Sequence, residues 1–268
     1  MLRYGLTPPP RGTGRAPSWL RTPAPRHRPG LRLLCFPHEG GSAEFFDPWL
    51  NHLPDTAELT AVQYPGRGDR AHEPVPGQVD DLARPVAEAL AGRGGARLVL
   101  FGHGMGAAVA FETARLLTEH HDPGPEALFV SSHPAPTDLS TDVRIHEGRY
   151  RDEHDDPVAR LRHLTSEGPG GGPDPGPPPV PAATVYADLR TAARYRYRPG
   201  PPLECPVTAL VGIHDTGVTA RRAEGWRSCT TGRFTLRAMR GGPFYLVRHR
   251  AALVAFLLTS SGGGRARA

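Results

Sequence analysis

The chain has 268 residues, a length that suits one α/β domain with a sizeable core. It contains no lysine, which excludes Schiff-base chemistry and lysine general bases. Its three cysteines, Cys35, Cys205 and Cys229, are too widely spaced for a disulfide framework or a metal-ligand cluster. The net charge of +5 sits at the ends: residues 1–30 hold six arginines and no acid, and Arg265 and Arg267 lie in the tail, so the body between them is net acidic. That distribution argues against a nucleic-acid surface, and no apolar run approaches the ~20 residues of a bilayer span. The composition therefore leads us to expect a cytoplasmic protein with no membrane or nucleic-acid partner, no metal and no cofactor.

Residues 1–30 are Pro, Arg and Gly with little apolar content, and are expected to be a disordered extension. An Arg-rich, acid-free start is shared by transit peptides, but the prolines interrupt any helix. Leu31–Phe36 reads as a strand ending in Pro37-His38-Glu39-Gly40-Gly41-Ser42, and Phe45, Phe46, Trp49 and Leu50 follow at helical spacing. Leu59–Gln63 reads as a second strand, followed by Tyr64-Pro65-Gly66-Arg67. Val79–Leu90 reads as an amphipathic helix that Asp80 or Asp81 would cap, with Pro85 as a local flaw.

Leu98–Phe101 is a short apolar run that predicts a buried parallel strand, and Ala107, Val109, Ala110, Ala114 and Leu116 predict a helix running to about Glu119. Between them lies Gly102-His103-Gly104-Met105-Gly106, the frame of a G-x-S-x-G nucleophile elbow at the required strand-to-helix junction. The flanking glycines suit a tight turn with close helix packing. The central position is Gly104, which has no side chain to attack with. The sequence thus carries a hydrolase frame without its nucleophile.

Ala127–Ser132 predicts the next strand. Residues 138–200 lose the strand–helix alternation, with a Gly/Pro tract over 168–181 and a helix over Val185–Tyr197; such an insertion predicts a lid or binding loop. Val207–Gly212 predicts a strand ending in Ile213-His214-Asp215. Residues 219–228 read as helical, Phe234–Met239 as the last strand, and Arg250–Leu258 as a closing helix before a flexible tail at 261–268. The alternation means a mostly parallel, doubly wound α/β sheet with right-handed crossovers, binding its ligand at the carboxyl ends of the strands.

Several of these pieces together resemble the type II thioesterases of polyketide and nonribosomal peptide assembly lines, members of the α/β-hydrolase superfamily. Cys35 to Ala43 is similar to that family's first oxyanion loop, and Val62-Gln-Tyr-Pro-Gly-Arg67 to its second-strand signature. Gly102 to Gly106 matches its elbow apart from the serine. Tyr195-Arg-Tyr-Arg-Pro-Gly200 and Cys205-Pro-Val-Thr-Ala-Leu210 match the run into its acid-bearing strand. Trp226 to Gly232 and Gly241 to Leu246 match its end. The resemblance covers about residues 31–258 and implies an α/β-hydrolase fold with an inserted lid over about 138–200. It also implies action on acyl groups carried by the phosphopantetheine arm of an acyl or peptidyl carrier protein.

Carried over residue by residue, the family serine falls on Gly104, the family histidine on Pro243 and the family aspartate on Asp215. The resemblance therefore implies that nucleophile and base are both missing, and that Asp215 has no imidazole to orient. It places the oxyanion hole on the backbone N–H groups of Met105 and Glu39. Glu39 itself departs from the small residue usual in the family, and its carboxylate would either repel an oxyanion or fill the hole.

Other candidates divide between function and structure. Glu39 is either an acid–base group in an apolar pocket or a solvent-facing or helix-capping residue. His38 and His103 suit hydrogen bonding within their loops, and His214 is either a pocket or a surface group. Ser131, Ser132 and His133 could form a relocated nucleophile, though no elbow supports them. Cys35 suits the core, as do Phe45, Phe46 and Trp49, unless these three rim an acyl site. Arg194, Arg196 and Arg198 suit either a carrier phosphate or a solvated helix end. Three functions follow. The first is a thioesterase-like protein that binds carrier-linked acyl chains without acyl-serine hydrolysis. The second is a repurposed enzyme running non-covalent acid–base chemistry (cyclisation, dehydration or isomerisation) with Glu39, Asp215 and His103 or His214. The third is a scaffold that docks on a carrier protein or an active thioesterase.

Overall fold

The computed structural model describes residues 18–92, 95–119, 124–141, 159 and 180–261. Seven strands form one sheet: β1 Leu20–Arg21, β2 Leu31–Phe36, β3 Ala57–Val62, β4 Arg97–His103, β5 Ala127–Ser131, β6 Val207–Gly212 and β7 Phe234–Met239, in the order β1-β3-β2-β4-β5-β6-β7. Every pairing is parallel except β1 against β3. The central strands are apolar throughout because both faces are covered, as a parallel sheet requires.

Alternation along β2 assigns the two faces. Leu34 and Phe36 pack into one core with α1 (Val79–Leu90) and α2 (Met105–Glu119). Leu33 and Cys35 pack into the other, against Phe46 and Trp49 of the 3₁₀ segment Ala43–His52 and against the closing helix Arg250–Ser260. The expected helix over Val79–Leu90 forms with Pro85 inside it, but Gln78 holds the N-cap position and Asp80 and Asp81 fall in the first turn. Trp226, fully buried, anchors the sheet's far side: its indole N–H donates to the His133 carbonyl at 2.9 Å and its ring meets Phe111 at 5.3 Å.

Two boundaries differ from expectation. The folded region begins before residue 31: Leu20 pairs with Val62 and is buried, the Gln63 N–H donates to the Trp19 carbonyl at 2.9 Å, and the Arg70 guanidinium lies 4.1 Å from the Trp19 ring. A two-residue edge strand is too short to leave a periodic signal. Residues 1–17, most of the expected lid with its Gly/Pro tract through 179, and the tail from 262 lie outside the described residues. The helix expected over Val185–Tyr197 runs instead over Ala182–Arg194 (α3). It starts directly after Pro181 and ends where Tyr195 turns inward to give its hydroxyl to Glu112.

The strand order reverses at β2, which has β3 on one side and β4 on the other. Ligands of such sheets bind at this switch point, beyond the carboxyl ends of the strands. Two loops meet there, residues 37–42 after β2 and Gly104 after β4. Trp226→Ala is expected to cost about 3–5 kcal/mol through the cavity left behind, read from the midpoint of a denaturant melt.

Candidate active site

The elbow is built as its glycines demand. A Cβ on Gly102 would strike the Gly106 carbonyl and Ala107, and a Cβ on Gly106 would strike the Phe36 carbonyl, so strand and helix approach more closely than any side chain permits. Gly104 sits at the turn with φ +54°, donates its N–H to the Ser131 carbonyl at 3.0 Å and accepts from Ala107 N–H at 2.9 Å. Met105 follows as the first residue of α2, so its N–H belongs to the first-turn amides that a helix leaves unpaired.

The space beside Gly104 is filled. Glu39 is buried, and its Oε2 lies 2.5 Å from the point that a Cβ at residue 104 would occupy. The Glu39 carboxylate thus stands where a nucleophilic side chain would begin, at the positive end of α2. The solvent-facing expectation for Glu39 does not hold, since the residue is buried.

A buried ion pair fixes the Glu39 loop. Arg67 and Asp188 make a bidentate contact, Nη1 to Oδ2 at 2.7 Å and Nη2 to Oδ1 at 2.8 Å, with both side chains almost fully buried. The pair also grips the loop on both sides. Asp188 accepts the Gly40 N–H at 2.8 Å, and Arg67 donates to the Gly41 carbonyl at 2.9 Å. Sequence reading missed Asp188, although Val185, Asp188 and Ala192 lie at the spacing of one buried helix face, and an acid on such a face asks for a partner.

Around Glu39 stand polar groups with little to bond to. His38 Nδ1, Ser42 Oγ and Tyr64 Oη are buried and have no hydrogen-bond partner among the described residues. Burial pushes the Tyr64 hydroxyl upward; the Arg67 charge opposes this, while the Asp188 and Glu39 charges add to it. Burial, and then the Arg67 charge, lower the His38 pKa from 6.5 to about 3. Its ring lies edge-on to Phe45, Phe244 and His103 at 4.7, 4.8 and 5.8 Å.

The remaining candidates fall into place around this centre. His103 Nδ1 is 2.9 Å from Ser131 Oγ, which is 2.7 Å from the Tyr245 hydroxyl, so these three form one buried chain beneath the elbow. Burial raises the Tyr245 pKa and the Asp215 charge adds to it, while the Ser131 hydrogen bond opposes both. Asp215 spends Oδ1 on the N–H groups of Gly217 and Val218, at 2.9 and 3.0 Å. Pro243 is half-buried, its carbonyl accepts from Ser132 Oγ at 3.2 Å, and the neighbouring Phe244 ring packs on both His38 and His103. Ser132 has φ +47°, uncommon for a side chain of its kind, but its hydroxyl is donated to that carbonyl. His133 turns its Nδ1 to the Pro134 carbonyl at 2.7 Å.

His214 does not join the cluster; its side chain is exposed beyond β6. Arg194, Arg196 and Arg198 are likewise exposed, and Cys35 lies in the core, where burial pushes its thiol upward. Among the described residues no group of three or more His, Cys, Asp or Glu could hold a metal ion, and no helix is long and apolar enough to cross a membrane.

The sequence matches the model of the thioesterase domain over residues 31–260. The chain belongs to the thioesterase family. Thioesterase PikA5 of Streptomyces venezuelae is 38% identical over 230 residues, covering 85% of this chain and 80% of that protein. The solved structure of the type II thioesterase BorB from the borrelidin cluster superposes with a TM-score of 0.75 at 38% identity, covering 92% of this chain and 97% of that one. RedJ, a thioesterase from the prodiginine pathway of Streptomyces coelicolor, gives a TM-score of 0.72 at 35% identity over 86% and 90% of the two chains. The α/β-hydrolase fold expected from the sequence is thereby shown.

Two outcomes test this account of the thioesterase-family site. Asp188→Ala leaves the Arg67 charge buried and alone, and is expected to lower stability by about 3–5 kcal/mol in a denaturant melt. Neutral His38 contributes stability that is complete above pH 6.5 and is lost as the pH falls towards 3, because the unfolded chain takes up the proton first. Between pH 6 and 4 the wild type should lose about 1.4 kcal/mol per pH unit more than His38→Gln.

Proposed function

We propose that the protein binds carrier-linked acyl thioesters of polyketide or nonribosomal peptide assembly and does not cleave them through an acyl-serine intermediate. The observation that carries this reading is the Glu39 oxygen 2.5 Å from the Cβ position of Gly104. A glycine at the elbow removes the nucleophile, and the carboxylate beside it closes the space that one would need. Pro243, at the position the resemblance gives to the general base, has no group that can accept a proton, and Asp215 is engaged by its own loop. The related thioesterases of named biosynthetic pathways support the pathway class. By that analogy the partner is an acyl or peptidyl carrier protein and its phosphopantetheine arm, in the cytoplasm.

A second reading, acid–base chemistry without a covalent intermediate, is favoured by one observation: a buried carboxylate at the switch point of the sheet. Glu39 would be its proton carrier, with Asp215 as the other. The loop amides on Asp215 Oδ1 leave that residue the lesser of the two.

The test is reconstruction. Gly104→Ser places its Cβ 2.5 Å from Glu39 Oε2, the movable end of that side chain, and supplies no base, so alone it should not restore acyl-serine chemistry. The triple variant Glu39→Ala, Gly104→Ser, Pro243→His should react with a fluorophosphonate at position 104 and release acyl groups from a carrier-linked thioester. The wild type should remain unlabelled at that position while still binding the carrier-linked acyl chain. Labelling of the wild-type elbow would overturn the proposal. An inert triple variant that binds carrier protein with no acyl chain attached would favour the scaffold.

A further inference from the structure

We propose that Glu39 is a carboxylate nucleophile that takes the place of the missing hydroxyl and receives the acyl group of a thioester as a mixed anhydride. The inference rests on the binding reading above and gives that site a reaction of its own. Its basis is geometry: Glu39 Oε2 occupies the space at the elbow where a side chain from residue 104 would start. The elbow keeps its turn at φ +54°, and α2 still begins at Met105. A first-turn amide therefore remains beside the carboxylate for the oxyanion that an attacked carbonyl develops.

The departures from the family pattern then have one cause. A serine must lose its proton as it attacks, so it requires a histidine. A carboxylate carries no proton to lose. Once Glu39 is the nucleophile, a side chain at Gly104 is an obstruction and a base at Pro243 has no task in the first step. The loop that carries the carboxylate is also held in position. Asp188 fixes the Gly40 N–H on its C-terminal side and Arg67 fixes the Gly41 carbonyl, which limits the loop to one setting.

The step balances as follows. A Glu39 oxygen bonds to the thioester carbonyl carbon, the C–S bond breaks, and the thiolate leaves and takes a proton from solvent. Water then attacks the anhydride and yields the acyl carboxylate, the restored Glu39 carboxylate and two protons, one of which replaces that taken by the thiolate. The second step needs a place for water next to Glu39. His38 Nδ1 and Ser42 Oγ of the same loop and Tyr64 Oη of the turn after β3 are buried polar atoms without a partner among the described residues. Buried groups of that kind ordinarily hold a water or a ligand atom.

The experiment uses the full chain and an acyl thioester of N-acetylcysteamine, a short mimic of the phosphopantetheine arm. Thiol release is followed, samples are quenched in acid, and the peptides are weighed by mass spectrometry with and without hydroxylamine. The expected result is one acyl group on the peptide bearing Glu39, removed by hydroxylamine, with thiol release to match. Both signals should vanish in Glu39→Gln. In Glu39→Asp, which keeps the carboxylate but withdraws it by one methylene, both should survive at a reduced rate. Thermal melts of the two variants confirm folding. Thiol release without an adduct, or an adduct on a cysteine, overturns the proposal. So does the absence of both signals from wild type. A parallel titration with a non-cleavable amide analogue separates the two readings: if the analogue binds and no adduct forms, the nucleophile fails alone, and if the analogue does not bind, the binding reading fails with it.

Discussion

The Arg67–Asp188 pair sets the geometry on which the site depends. It joins three segments that the chain order keeps far apart: the turn after β3, the loop after β2 and helix α3. Burying two charges is costly, and the cost is recovered only when the fork of the guanidinium meets both carboxylate oxygens and the remaining lone pairs are satisfied. Here the remaining bonds go to the backbone of Gly40, Gly41 and Pro65. The ion pair therefore acts less as a source of net stability than as a gauge: one setting of the loop satisfies it, and in that setting Glu39 points at the elbow.

From that fixed loop the local chemistry follows. Gly104 and Glu39 are complementary in volume, one supplying the space and the other filling it. The carboxylate lies at the start of α2, where the helix dipole favours negative charge. His38 stays neutral because its surroundings are apolar and a guanidinium is near. Beneath, the His103–Ser131–Tyr245 chain links β4, β5 and the short helix Tyr245–Arg248 that follows β7, so the floor of the site is held by hydrogen bonds even though the position assigned to the base is a proline.

Much of this was legible in the sequence because it is periodic. The apolar runs of β2, β4, β5, β6 and β7 and the helix Val79–Leu90 have the spacing that a covered parallel sheet imposes, and the elbow glycines mark a backbone approach that tolerates no Cβ. The missing side chain at Gly104 is visible as a letter. What fills its place is not, because the contact between Glu39 and Gly104 spans two loops and depends on a rotamer. β1 escaped notice because two residues make no pattern, whereas His214, open in the sequence between a pocket and a surface place, takes the surface one beside buried Asp215. Asp188 left a trace, an acid on the apolar face of a helix, that identifies a buried partner without saying which arginine provides it.

Asp215 invites a broader reading. The resemblance makes it the one member of the triad still in place, yet its Oδ1 closes a turn by accepting from two amides of the loop that follows β6. An aspartate with that duty has a structural task whether or not a reaction uses it. Its presence alone therefore says little about turnover. Scoring a chain by how many members of a constellation survive will therefore overcount any residue with two occupations, and the informative positions are those whose side chain has no employment outside the reaction.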